Sequence, residues 1–181
     1  RTKFLARGVF LALCALLTSS PARAKPLLER LLSEKMTILG LIGGPLVEFS
    51  KLDEKSKAAL VPGLIEALKS TDTFTQGKAA EALRVAGTLA QAAMPELVRI
   101  LGSEQGDSDC STRERAADAL GAIGPSAQEA APMLFKMISE KSEGACVLKP
   151  AAVGALARIA PNDPRTLPAL IALLNTEDGR A

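Results

Sequence analysis

Apolar residues return at intervals of three and four along most of the chain and never in a run of strict alternation. The pattern therefore predicts helices and no strands. In the stretch that begins at Ala116, the residues Ala116, Leu120 and Ile123 share one helical face, and Arg115, Asp118 and Gly121 fall off it. In a second type of stretch, Leu97 pairs with Leu101, Leu134 with Ile138, and Leu170 with Leu174, each four apart. Gly87 and Gly124 follow the last periodic residue of the first type, where a helix ending in the left-handed conformation favours glycine. Ser126 and Glu129 have the spacing of a capping box, and Asp163-Pro164 reads as a helix start. A proline recurs near the start of the second type (Pro95, Pro132, Pro168). It either occupies the first turn, where a missing N–H costs little, or it kinks the helix.

These two types alternate as one unit. The segments AAEALRVAGTLAQAAMPELVRIL from Ala79, AADALGAIGPSAQEAAPMLFKMI from Ala116 and AVGALARIAPNDPRTLPALIALL from Ala152 align without gaps, 37 and then 36 residues apart. Leu83, Leu120 and Leu156 coincide, as do Ala86, Ile123 and Ile159, Pro95, Pro132 and Pro168, and Leu97, Leu134 and Leu170. Partial copies lie upstream, PGLIEAL from Pro62 and ILGLIG from Ile38. A single helix pair cannot bury its own apolar stripe, whereas stacked pairs bury each other's. The expected organisation is a leader over 1–24, a degenerate helical cap over 25–54, and about three repeats over 55–181, the last incomplete.

The alternation of AAxALxxIG with PxLxxLL at this period resembles HEAT repeats, in the short form of phycobilisome lyase subunits. The resemblance covers roughly Lys57 to Leu174 and implies an all-α fold, a right-handed α-α superhelix of the armadillo/HEAT kind. It also implies an Arg at the start of each AAxAL helix. Arg113 fits that position, but Gln76 and Lys149 stand there in the other copies. Chromophore handling, the lyases' work, sits poorly with an exported chain.

Export is read from the first residues. Arg1, Lys3 and Arg7 precede an apolar run of ten residues from Gly8 to Leu17, then Thr18 to Pro21 and the small-x-small triplet Ala22-Arg23-Ala24. That is the layout of a signal peptide cut after Ala24. The run is half of the ~20 residues that span a bilayer. An exported protein, periplasmic or secreted, with no membrane contact after cleavage is therefore expected. Without residues 1–24 the bases number 18 against 20 acids, so the +2 of the whole chain belongs to the leader. No cluster of bases suits nucleic acid.

The 181 residues contain no His, Trp or Tyr. A His-based triad and a His-ligated metal are excluded, and the usual base-stacking platforms are missing. The acidic groups Glu104, Asp107 and Asp109, and Glu140 with Glu143, fall in polar turns without the spacing of a calcium loop. No catalytic residue, cofactor or metal is expected. The expected function is an interaction module that binds a protein, or else an accessory scaffold of a larger exported enzyme. The candidate binding face is the row of AAxAL helices with Lys78, Glu81, Arg84, Arg115, Asp118 and Arg158. The same charges also suit plain ion pairs on a solvated face. Cys14 goes with the leader, so Cys110 and Cys146 remain as a pair in an oxidising compartment and are expected to form a disulfide.

Overall fold

The computed structural model describes residues 45–103, 110–139 and 148–177. The leader, the ILGLIG copy, the two acidic groups in the long turns and Cys146 lie outside them. Among the described residues every regular element is helical: α1 (Pro45–Ser50), α2 (Glu54–Leu68), α3 (Thr73–Ala86), α4 (Met94–Leu101), α5 (Cys110–Ile123), α6 (Ala131–Ser139), α7 (Lys149–Ile159) and α8 (Thr166–Glu177). Two 3-10 segments, Gly87–Ala93 and Gly124–Ala130, join α3 to α4 and α5 to α6.

The chain folds as a stack of helix pairs in two layers. In the first layer α5 packs against α3 on one side and α7 on the other, and α1 covers the far side of α3. The second layer holds α2, α4, α6 and α8, which touch each other little and pack instead on first-layer helices. Small side chains account for the difference. Ala79, Ala82, Ala116, Ala119, Ala152 and Ala155 are buried between first-layer helices and let backbones approach, whereas Leu97, Leu134 and Met137 fill the space under the second layer. One core runs from Phe49 to Ala160. This is an all-α helical-repeat solenoid, as the periodicity predicts.

Local signals hold in part. Gly87 and Gly124 have φ of +60° and +77°, so a positive φ that favours glycine falls where the pattern placed it, although Gly87, with ψ of −129°, is outside the left-handed helical conformation. Pro95 and Pro132 stand at the second residue of α4 and α6, inside the first turn. Pro62 differs: it lies in the interior of α2, which continues back to Glu54 where later copies have a 3-10 segment. Ser126 makes no capping bond; it is exposed within a 3-10 segment, and α6 starts only at Ala131. Asp163 does not cap α8 either. Its carboxylate accepts from the Arg165 backbone N–H at 2.9 Å and pairs with the Arg165 side chain at 2.8 Å, while α8 starts at Thr166. That side chain also lies 4.0 Å from the Phe135 ring centre, tying the turn to α6.

Asp163 gives a pH prediction. Hydrogen bonds from Arg165 hold its carboxyl at about 2, below its ordinary value of 3.8. A depressed carboxyl adds stability that is full above the unfolded value and is lost as pH falls toward about 2. Asp163→Asn should therefore lower the melting temperature at pH near 7 and leave it unchanged near pH 2. Melting curves at both pH values check this.

At the head of the first-layer helices, the residues at the expected Arg position reach back to the preceding helix. Arg113 donates from Nε to the Leu101 carbonyl at 3.1 Å, the last residue of α4. Gln76, its equivalent, donates from Nε2 to the Ser70 carbonyl at 2.6 Å, just past the end of α2. The first satisfies a carbonyl that a helix end leaves unpaired, and the second a carbonyl of the turn that follows α2. A second brace crosses repeats: Arg99 of α4 donates to the Leu68 carbonyl at the end of α2, at 2.9 Å.

At the far end, Leu167, Ile171 and Leu174 of α8 are 63%, 49% and 63% exposed. The equivalent stripes, Met94, Val98 and Leu101 in α4 and Ala131, Phe135 and Ile138 in α6, are buried or half-buried. The α8 stripe thus has the composition of an internal stacking surface.

Candidate interaction face

The first-layer helices α3, α5 and α7 bury their alanines and leucines and turn the opposite stripe outward. On α5 that stripe is Arg115, Asp118 and Ala122, all half-buried. On α3 it holds Lys78, half-buried Glu81 and exposed Arg84, and on α7 the exposed Arg158. The six predicted residues therefore share one side of the stack, on three neighbouring helices.

Their contacts differ from one to the next. Arg84 donates from Nε and Nη2 to one Glu81 carboxylate oxygen, at 3.2 and 2.6 Å. Lys78 lies 5.5 Å from the Phe74 ring centre, one helical turn back. Asp118 of α5 sits in the field of Arg84 from α3 and Arg158 from α7. Burial pushes its carboxyl above its ordinary value, the two arginines pull it down, and Glu81 pushes it up again. A raised carboxyl makes the fold more stable as pH falls from neutral toward the unfolded value of the group. Asp118→Asn should thus leave stability at pH 7 equal or slightly higher and flatten its rise toward pH 4. Asp118→Ala should change it by no more than about 0.5 kcal/mol, since no hydrogen bond is lost. Thermal melts across that pH range check both.

Two glycines shape this face, and neither was legible as part of it. Gly121, expected off the core face, is buried: a Cβ there would stand 3.0 Å from Ala155 Cα of α7. At Gly77 a Cβ would meet the Arg115 guanidinium at 2.8 Å. Glycine thus admits a neighbouring helix in one place and a neighbouring side chain in the other. Phe74, 41% exposed at the edge of the same face, was also missed. Its helical spacing to Lys78 is the signal that could have found it.

Other features add little. A cavity of about 270 Å³ between the α2–α3 turn and α4 is lined by Lys69, Ser70, Thr73, Gln76, Arg99 and Ser103. Both cations there are engaged, Lys69 with Glu66 at 2.8 Å and Arg99 with Glu96 at 2.6 Å. Among the described residues no group of His, Cys, Asp and Glu could hold a metal, and no helix is long and apolar enough to cross a membrane. Cys110 is the first residue of α5 and is disulfide-bonded.

The comparisons agree with the stack. Searches of curated proteins and of solved structures gave no match. The family model for HEAT repeats matches residues 100–181, from the last turn of α4 onward, so that part of the chain is similar to HEAT repeats, in agreement with the layered helix pairs.

Proposed function

We propose that this chain is an exported protein-interaction module, a HEAT-repeat scaffold without catalysis or a cofactor of its own, whose partner docks on the α3–α5–α7 face. HEAT repeats commonly serve as interaction scaffolds, and that is the prior. The observation that carries the reading is the composition of the face: six charged side chains on three adjacent helices, none of them needed to fill the core. A row of three adjacent helices offers a continuous surface that suits a protein segment. The signal-peptide layout of residues 1–24 supports export, and the same face is then offered outside the cytoplasm.

In-cell photo-crosslinking tests this. A photo-reactive phenylalanine analogue replacing Ala122, on the stripe with Arg115 and Asp118, should give a discrete protein adduct. The same analogue replacing Lys136, on the exposed side of α6, should give none. Adducts from Lys136 alone, or from neither site, contradict the reading. The N-terminus of the exported protein, read by mass spectrometry, should be Lys25.

A further inference from the structure

We infer that the partner segment on this face is acidic, and that its carboxylates are held by the guanidinium forks of Arg115 and Arg158. The inference rests on the interaction-module reading and specifies its partner.

Both arginines lie back across the preceding first-layer helix beside a glycine. Arg115 Nη1 is 2.8 Å from the place a Cβ would take at Gly77, and Arg158 Nη1 is 3.6 Å from that place at Gly121. Each guanidinium thus lies within contact distance of the preceding helix, at a position that carries no side chain. A guanidinium offers five N–H donors in a fixed fork that matches a carboxylate. Arg84 spends two of its donors on Glu81. Arg115 and Arg158 make no hydrogen bond or ion pair to any described residue. Their donors are left for a ligand, and Arg115, half-buried beside Gly77, is partly ordered before binding, which lowers the ordering cost.

Charge decides the ligand's sign. The face carries four cations, Lys78, Arg84, Arg115 and Arg158, against the carboxylates Glu81 and Asp118 and the exposed Glu114 one turn before Asp118. Asp118 holds Arg84 and Arg158 in its field without closing a bond to either. A continuous phosphodiester chain would pass close to both carboxylates, and without Trp or Tyr the chain lacks the rings on which bases usually stack. A polypeptide can place discrete carboxylates on the forks and uncharged residues beside Asp118. Phe74 with Lys78 offers an apolar flank at the edge.

The register gives the spacing. Arg158 aligns with position 122 of α5, seven residues beyond Arg115 and one helix across. Packed helices lie roughly 8–10 Å apart and rise about 1.5 Å per residue, so the two Cα atoms stand on the order of 14 Å apart. That is about four residues of extended chain. The recognised pattern is an acidic residue, about three others, and a second acidic residue.

Fluorescence anisotropy with the exported protein tests this, using a labelled peptide that carries two Glu residues at that spacing in a Ser/Thr/Leu background. The Glu peptide should bind about tenfold or more tightly than its Gln counterpart. It should weaken steadily as salt rises from about 0.05 M to about 0.5 M. The R115A/R158A variant should lose about tenfold, and R115K/R158K, which keeps charge without the fork, should recover only part. An unchanged melting temperature in both variants shows that they fold. No binding of the Glu peptide, equal binding of the Gln peptide, full binding by R115A/R158A, or equal binding of a single-stranded oligonucleotide overturns the proposal. If the Ala122 adduct persists in R115A/R158A, the acidic-segment proposal falls and the interaction-module reading stands.

Discussion

Truncating Leu83, Leu120 or Leu156 to Ala is expected to cost about 2–5 kcal/mol each. All three side chains are fully buried at the same place in successive first-layer helices. Each would leave a cavity in a layer already closed by alanines, where neighbours have little freedom to collapse into the void. Leu120 should lie at the upper end of the range. Its helix, α5, is packed on both sides, by α3 and α7, so a void there weakens two interfaces of a stack held by nearest-neighbour contacts. For a chain of this length the loss corresponds to a fall in melting temperature on the order of ten degrees. Glu81→Ala, on the outer face, should stay within about 0.5 kcal/mol. Chemical denaturation of the four variants decides it. Equal losses for Leu120→Ala and Glu81→Ala would mean that the helix faces are assigned wrongly.

The second large effect is expected from Cys110. It is disulfide-bonded at the start of α5, and Cys146 is the partner expected from the repeat. Each of the two lies six residues before the equivalent Ala116 or Ala152, so they are equivalent positions of adjacent repeats in the sequence. Closing a separation of 36 residues contributes up to about 4 kcal/mol on the chain-entropy model. Cys110→Ser should lower stability by up to that amount, and reduction of the parent protein should lower it equally. Thiol labelling of the protein purified under oxidising conditions, denatured without reductant, should add no label at either residue. Two labels would rule the bridge out, and a fall with Cys110→Ser that reduction does not reproduce would assign the effect to packing instead.

What the sequence made legible follows from the range over which each signal acts. Helix type, the repeat and the buried positions Leu83, Leu120 and Leu156 rest on spacing within a few turns, and the repetition averages out local ambiguity. The glycine ends at Gly87 and Gly124 were legible for the same reason, since the requirement for positive φ is local. Caps were not. Ser126 and Asp163 carry the right side chains, yet a 3-10 segment or an Arg165 pair claims their place. Asp72, not singled out, does cap α3, accepting from the Thr75 N–H at 2.9 Å. In α6 the fully buried partner of Leu134 is Met137, three residues on, and Ile138 is only half-buried. The candidate face was legible as a set of six residues but not as an arrangement. That Arg115 lies over Gly77, and that Asp118 stands between Arg84 and Arg158, depends on how three helices abut. No spacing within one helix encodes that.

The account separates a core of Ala and Leu that holds the stack from a charged face that holds a partner. One variant tests the separation most directly, R84A/R115A/R158A, read in the same preparation by thermal melting and by the yield of the Ala122 photo-adduct in cells. The account predicts a melting temperature within a few degrees of the parent, since surface changes rarely exceed about 0.5 kcal/mol each, together with loss of the adduct. A melting temperature that falls as far as that of Leu120→Ala while the adduct persists would contradict it: the arginines would then belong to the stack and the partner would dock elsewhere.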